Sequence, residues 1–137
     1  MNQMTATWNG DMAFTHTSAT GHTLVTDVPV AKGGHDLGPT PMELIVLGLM
    51  GCTGLDVVGI LKGMRQSVDG LTITATSERS ADHPKVYTAI HLDFAFRGDL
   101  EDKKVARAIK LSQTKYCSVS AMLGHDARIS HEFHIEA

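Results

Sequence analysis

The spacing of apolar residues divides the chain into segments of different period. In TATWNG and MAFTHTSATGHTLVTDVPV, Thr and Val recur in short runs, a pattern of strands, and Ala19-Thr20-Gly21-His22 marks a hairpin turn between two of them. The period is lost in AKGGHDLGPTP, where Gly33-Gly34 and the prolines Pro39 and Pro41 impose a constrained loop. A helix is predicted from Pro41 to about Met64: Thr40 caps it, Pro41 suits the first helical position, and Glu43 completes a capping box. From Ser67 the period becomes two. Leu71, Ile73 and Ala75 alternate with threonines, and beyond the His83-Pro84-Lys85 turn Ile90, Leu92, Phe94 and Phe96 alternate with polar neighbours, predicting adjacent antiparallel strands with one buried face. A second helix follows from about Leu100 to Ser112 with Val105, Ala108, Ile109 and Ser112 inward. A short helix carries Cys117 to Leu123, and ARISHEFHIEA closes the chain as a strand.

The long helix is unusual for a chain of 137 residues. Its apolar residues surround most of the axis, so it is expected to be largely buried, in part by a second subunit. Gly48, Gly51, Gly54 and Gly59 each weaken it by roughly 1 kcal/mol relative to alanine. Close approach of another element, or a bend, would compensate.

Composition narrows the classes. The length calls for one domain, spanning 1–137. A net charge of −3 gives no electrostatic reason to expect nucleic acid or an anionic membrane as partner. No signal-like pattern opens the sequence, and Glu43, Asp56 and the glycines interrupt the apolar helix, so a soluble, cytoplasmic protein is expected.

The chemistry centres on two cysteines, Cys52 and Cys117. They are too few for a disulfide scaffold and too distant for a Cys-x-x-Cys motif. Cys52 lies well inside the long helix, with Asp56 one turn away on the same face, where a carboxylate opposes thiolate formation unless a cation intervenes. Cys117 has Lys110 and Lys115 nearby and opens a short helix, a position that favours thiolate. Buried filler, bridge and redox pair all remain open on these residues. The eight histidines are scattered, with His131 and His134 on opposite faces of the last strand, and neither cysteine has a zinc-like partner at short spacing. Neither a metal nor a cofactor is expected, and no phosphate-binding loop or Ser/His/Asp signature is visible.

The order of GGHDLGPTPMELIVLGLMGCTGLDVVGIL, alternating strands and KYCSVSAML resembles the OsmC/Ohr family, in its YhfA-like branch, over essentially the whole chain. The resemblance implies an α/β (α+β) fold in which curved antiparallel sheets surround a long central helix within an intertwined homodimer. It also implies paired thiol sites at the dimer interface. Cys52 matches the residue that attacks the peroxide and becomes a sulfenic acid; Cys117 matches the one that resolves it to a disulfide, for reduction by an external dithiol. Leu47, Leu49, Leu55 and Val58 would offer an apolar approach to an alkyl hydroperoxide.

The chain departs from the family's peroxidases at their activating clamp. No arginine precedes Arg65, and Met42 stands where those members have the glutamate that holds the arginine. Glu43 is displaced by one and lies about 900° of helical turn from Cys52, on the opposite face. Glu43, Asp56 and His35 are carried as candidate supporting residues, with His22 and Lys32 as further sources of charge. The leading expectation is thiol-dependent reduction of organic hydroperoxides in oxidative stress defence. The alternative is a non-enzymatic dimer that binds a small hydrophobic ligand at its interface.

Overall fold

A computed structural model describes residues 2–136. The chain divides into two compact units, residues 1–46 and 47–137. In the first, β1 (Thr5–Trp8), β2 (Phe14–Thr17) and β3 (Thr23–Thr26) form an antiparallel meander, with Thr5 opposite Thr17 and Phe14 opposite Thr26. The predicted turn closes it: Gly21 takes φ +89° and its N–H reaches the Ser18 carbonyl at 3.0 Å.

The irregular stretch that follows is organised by one carboxylate. Asp27 is buried and accepts the N–H groups of Val28 (2.7 Å), His35 (3.1 Å) and Leu37 (3.2 Å), which fold the loop back on itself. Glycine is required where that loop closes, because a Cβ at Gly34 would strike the Val28 carbonyl and one at Gly38 the Val25 carbonyl. The loop leads into α1 (Pro41–Gly63) through the predicted reciprocal cap. Thr40 N–H donates to Glu43 Oε1 at 2.9 Å, and Glu43 N–H donates to Thr40 Oγ1 at 3.2 Å.

The boundary between the units falls within α1. By length and composition this helix is apolar enough to cross a membrane. Within the chain only Leu49, Thr53, Val57 and Leu61 are fully buried, a single stripe at i, i+4 spacing. The opposite face carries Gly48, Gly51, Leu55, Val58 and Gly59, and Leu55 is 79% exposed. The expectation of a largely buried helix is therefore not met by one chain. Gly54 alone among the four helix-weakening glycines has a close neighbour: a Cβ there would lie 3.2 Å from Ile73 Cδ1, whereas Gly48, Gly51 and Gly59 face open space.

In the second unit β4 (Gly70–Arg79) pairs antiparallel with β5 (Tyr87–Arg97), with Ile73 opposite Phe94. The alternation of β5 is that of the sequence, since Ile90, Leu92, Phe94 and Phe96 are all buried. The last strand, β6 (Arg128–Glu136), joins β5 in parallel, with Phe94 opposite Phe133, so this sheet is mixed rather than wholly antiparallel. Parallel pairing requires a long crossover. The crossover consists of α2 (Asp102–Leu111), a π turn over Ser112–Tyr116, and α3 (Ser118–Leu123). In α2, Val105, Ala108 and Ile109 are fully buried, as their spacing predicts.

Candidate active site

Two elements of the second unit deliver the thiols. Cys52 projects from α1, half-buried, beside the stripe that buries Thr53. Cys117 stands at the junction of the π turn and α3, where the widened turn lets its N–H bond to the Ser112 carbonyl at 2.7 Å. It is the N-cap of α3, and its sulfur accepts the Ser120 N–H at 3.3 Å. The result is that Sγ of Cys52, Sγ of Cys117 and a carboxylate oxygen of Asp56 all lie within 4.8 Å of one another. Both cysteines are free thiols, and Cys117 is 3% exposed.

A polar network surrounds the sulfurs. Gln113 Nε2 donates to Thr53 Oγ1 at 3.1 Å, which leaves the Thr53 hydroxyl proton free to point at Cys117 Sγ, 3.5 Å away. Ser120 Oγ reaches Gln113 Oε1 at 3.1 Å, and Ser112 Oγ donates to Asp56 Oδ2 at 2.9 Å. Burial alone would raise the Cys117 thiol. The Ser120 and Thr53 hydroxyls, the Ser120 N–H and the Cys52 thiol outweigh it, so this thiol lies below its ordinary value. At Cys52 the Val119 N–H acts to lower the thiol and is the largest single influence. Burial and the neighbouring Cys117 together overcome it, and the Cys52 thiol lies above its ordinary value.

The groups that act most on the two sulfurs are neighbouring amides, hydroxyls and the thiols themselves, together with burial. Lys115 sits over the Tyr116 ring, 5.2 Å from its centroid. Glu43 is committed to the α1 cap, and His35 Nδ1 faces Asp11 Oδ2 at 3.6 Å within the first unit. Of the candidate supporting residues, Asp56 is the one seen beside the thiols. The donors that the chain itself supplies to the sulfurs are neutral, the amides at the start of α3 and two hydroxyls. Thr53 and Gln113 escaped the sequence reading. Thr53 falls in the buried i, i+4 stripe of α1, where a hydroxyl needs a partner; Gln113 carries no sequence signal. His131 and His134 do occupy opposite faces of β6, the first edge-on to Phe94 and the second 3.7 Å from Asp93.

Comparison with known proteins identifies the family of the chain. The family described as OsmC-like protein matches residues 33–132, a segment that contains both cysteines. The chain belongs to the OsmC family. Protein YhfA of Escherichia coli K12 is 39% identical over 131 residues, covering 95% of each chain. A hypothetical protein from Aquifex aeolicus VF5 has a solved structure that superposes on this OsmC-family chain with a TM-score of 0.84. It shares 31% identity and covers 100% of this chain and 98% of its own. An organic hydroperoxide resistance protein OsmC from Legionella pneumophila superposes with a TM-score of 0.74 at 13% identity, over 97% of this chain and 96% of its own, and shares the fold.

Proposed function

We propose that this chain reduces organic hydroperoxides through a Cys52–Cys117 thiol pair, as a homodimer, in oxidative stress defence. The observation that carries the reading is the placement of two sequence-distant sulfurs within 4.8 Å of each other. A modest shift would bring them to the bond length of a disulfide, about 2.05 Å. Cys52 is the attacking thiol because it is the more exposed of the two. Cys117, whose thiol its hydrogen-bond donors lower, takes up the Cys52 proton in its thiolate form. The Cys52 sulfur then attacks the terminal peroxide oxygen and the O–O bond breaks. Cys52 becomes a sulfenic acid, and the departing alkoxide takes a proton from water to leave as alcohol. The Cys117 sulfur attacks the sulfenic sulfur, water leaves with its proton, and the disulfide forms. An external dithiol restores the pair by exchange.

The homodimer is supported by the face of α1 bearing Gly48, Gly51, Leu55, Val58 and Gly59, whose small residues admit a close neighbour. We assign the protein to the cytoplasm, where a regenerating dithiol is available.

The test mixes reduced protein with stoichiometric alkyl hydroperoxide and follows alcohol formation and thiol loss in the wild type, Cys52→Ser and Cys117→Ser. Sulfenic acid accumulating in Cys117→Ser and absent from Cys52→Ser is the expected outcome. Thiols that survive unchanged would remove the reading, and saturable binding of an apolar compound under those conditions would replace it with a ligand-binding role.

A further inference from the structure

The proposed thiol chemistry has no evident use for Asp56. A carboxylate beside two thiols opposes the negative charge that peroxide attack requires, yet Asp56 is held in place by the Ser112 hydroxyl at 2.9 Å. We propose that Cys52, Asp56 and Cys117 form a reversible site for a soft divalent cation, zinc above all.

The geometry is close to that needed. Three donor atoms lie within 4.8 Å of one another. Tetrahedral zinc with Zn–S bonds of about 2.3 Å holds its sulfurs about 3.8 Å apart, so a contraction of roughly 1 Å closes the site. Two thiolates and one carboxylate leave the fourth position for water or an incoming anion, and Cys52 and Asp56 are only half-buried, which gives the ion a way in. The surrounding hydrogen bonds suit the same purpose. Ser112 orients the carboxylate, while the Ser120 N–H and the Thr53 hydroxyl address the Cys117 sulfur from outside the coordination shell. With a cation present, the sign of Asp56's influence is no longer a penalty, since all three anionic donors face one dication.

Occupancy would withhold both sulfurs from peroxide, and oxidation would expel the ion: the zinc bis-thiolate, a hydroperoxide and two protons yield the disulfide, an alcohol, water and free zinc. That consequence rests on the hydroperoxide reading; the binding itself does not.

The experiment titrates reduced, metal-free protein with zinc against a chromophoric chelator and repeats the titration with cobalt(II), whose thiolate charge-transfer and tetrahedral ligand-field bands report the donor set. One ion per chain with both band types is expected. Asp56→Asn, checked for native circular dichroism, should bind at least 10- to 100-fold more weakly, the range that loss of even an outer-shell partner produces. Cys117→Ser should lose most of the charge-transfer intensity. Ser112→Ala should weaken binding by about 10-fold, and disulfide-bonded protein should not bind at all. Absence of cobalt bands in reduced wild type, or equal zinc affinity in Asp56→Asn and wild type, would overturn the site. Peroxide consumption by metal-free protein is scored separately: activity without zinc uptake defeats this site alone, and zinc uptake without activity defeats the hydroperoxide reading alone.

Discussion

Helices α1 and α2 answer the same physical demand in opposite ways. In α2 the apolar residues form a narrow stripe, and Val105, Ala108 and Ile109 are fully buried while the rest of the helix is polar. In α1 apolar residues occupy nearly every side, but one chain buries only four positions and leaves Leu47, Leu55 and Val58 exposed. Helix α2 is satisfied within a single chain. Helix α1 carries more apolar surface than its chain covers, and it bears Cys52 and Asp56. Burial within one chain accounts for α2 and leaves the outer face of α1 unaccounted for.

The sharpest way to separate the two is to cut each where it is most committed. Ile109→Ala in α2 should lower stability by about 2–5 kcal/mol, read as a fall in the denaturant midpoint, because its side chain is wholly enclosed. Leu55→Lys should leave circular dichroism unchanged and convert the sedimenting species from dimer to monomer. A variant that still sediments as a dimer would show that the outer face of α1 is not the contact. Gly51→Ala adds a methyl group where nothing lies within 4 Å in the chain, so the isolated chain should gain up to about 1 kcal/mol of helix stability. If a partner approaches that face, the same variant should weaken dimerisation. At the helix start, Thr40→Ala removes one half of the reciprocal cap and should cost about 1 kcal/mol in thermal or urea unfolding.

The smallest effect concerns the loop that leads into α1. The Val28 N–H foremost, opposed by burial and reinforced by the Leu37 and His35 N–H groups and by the charge of His35, holds the Asp27 carboxyl below its ordinary value of 3.8. A carboxyl lowered in the folded state contributes stability that is complete above the unfolded value and is lost as pH falls through the lower folded one. Urea midpoints should therefore decline below about pH 4 in the wild type and decline less in Asp27→Asn. Parallel acid limbs would show that Asp27 does not set this dependence.

Where the chain repeats with a period, the sequence was legible. The alternation from Ile90 to Phe96, the inward residues of α2 and the Thr40–Glu43 cap all follow from local spacing, and each is present. The parallel pairing of β6 with β5 was not legible, because an alternating strand reads the same in either direction. In the site, both cysteines and Asp56 could be singled out as residues. Their convergence, and the donors that the α3 amides and Thr53 supply to them, depend on contacts between residues about sixty positions apart, for which no local pattern exists. Glu43 and His35 looked like reserves of charge because sequence distance does not reveal that one serves a helix cap and the other faces Asp11.

The π turn at Ser112–Tyr116 makes the spacing of that segment indispensable. An α-helical turn through the same stretch would close one residue earlier, with the Tyr116 N–H in place of the Cys117 N–H on the Ser112 carbonyl, and would carry the second thiol about 100° further around the local axis. Tightening this turn with all its residues kept would thus separate the sulfurs while leaving every strand and the whole of α2 as they are.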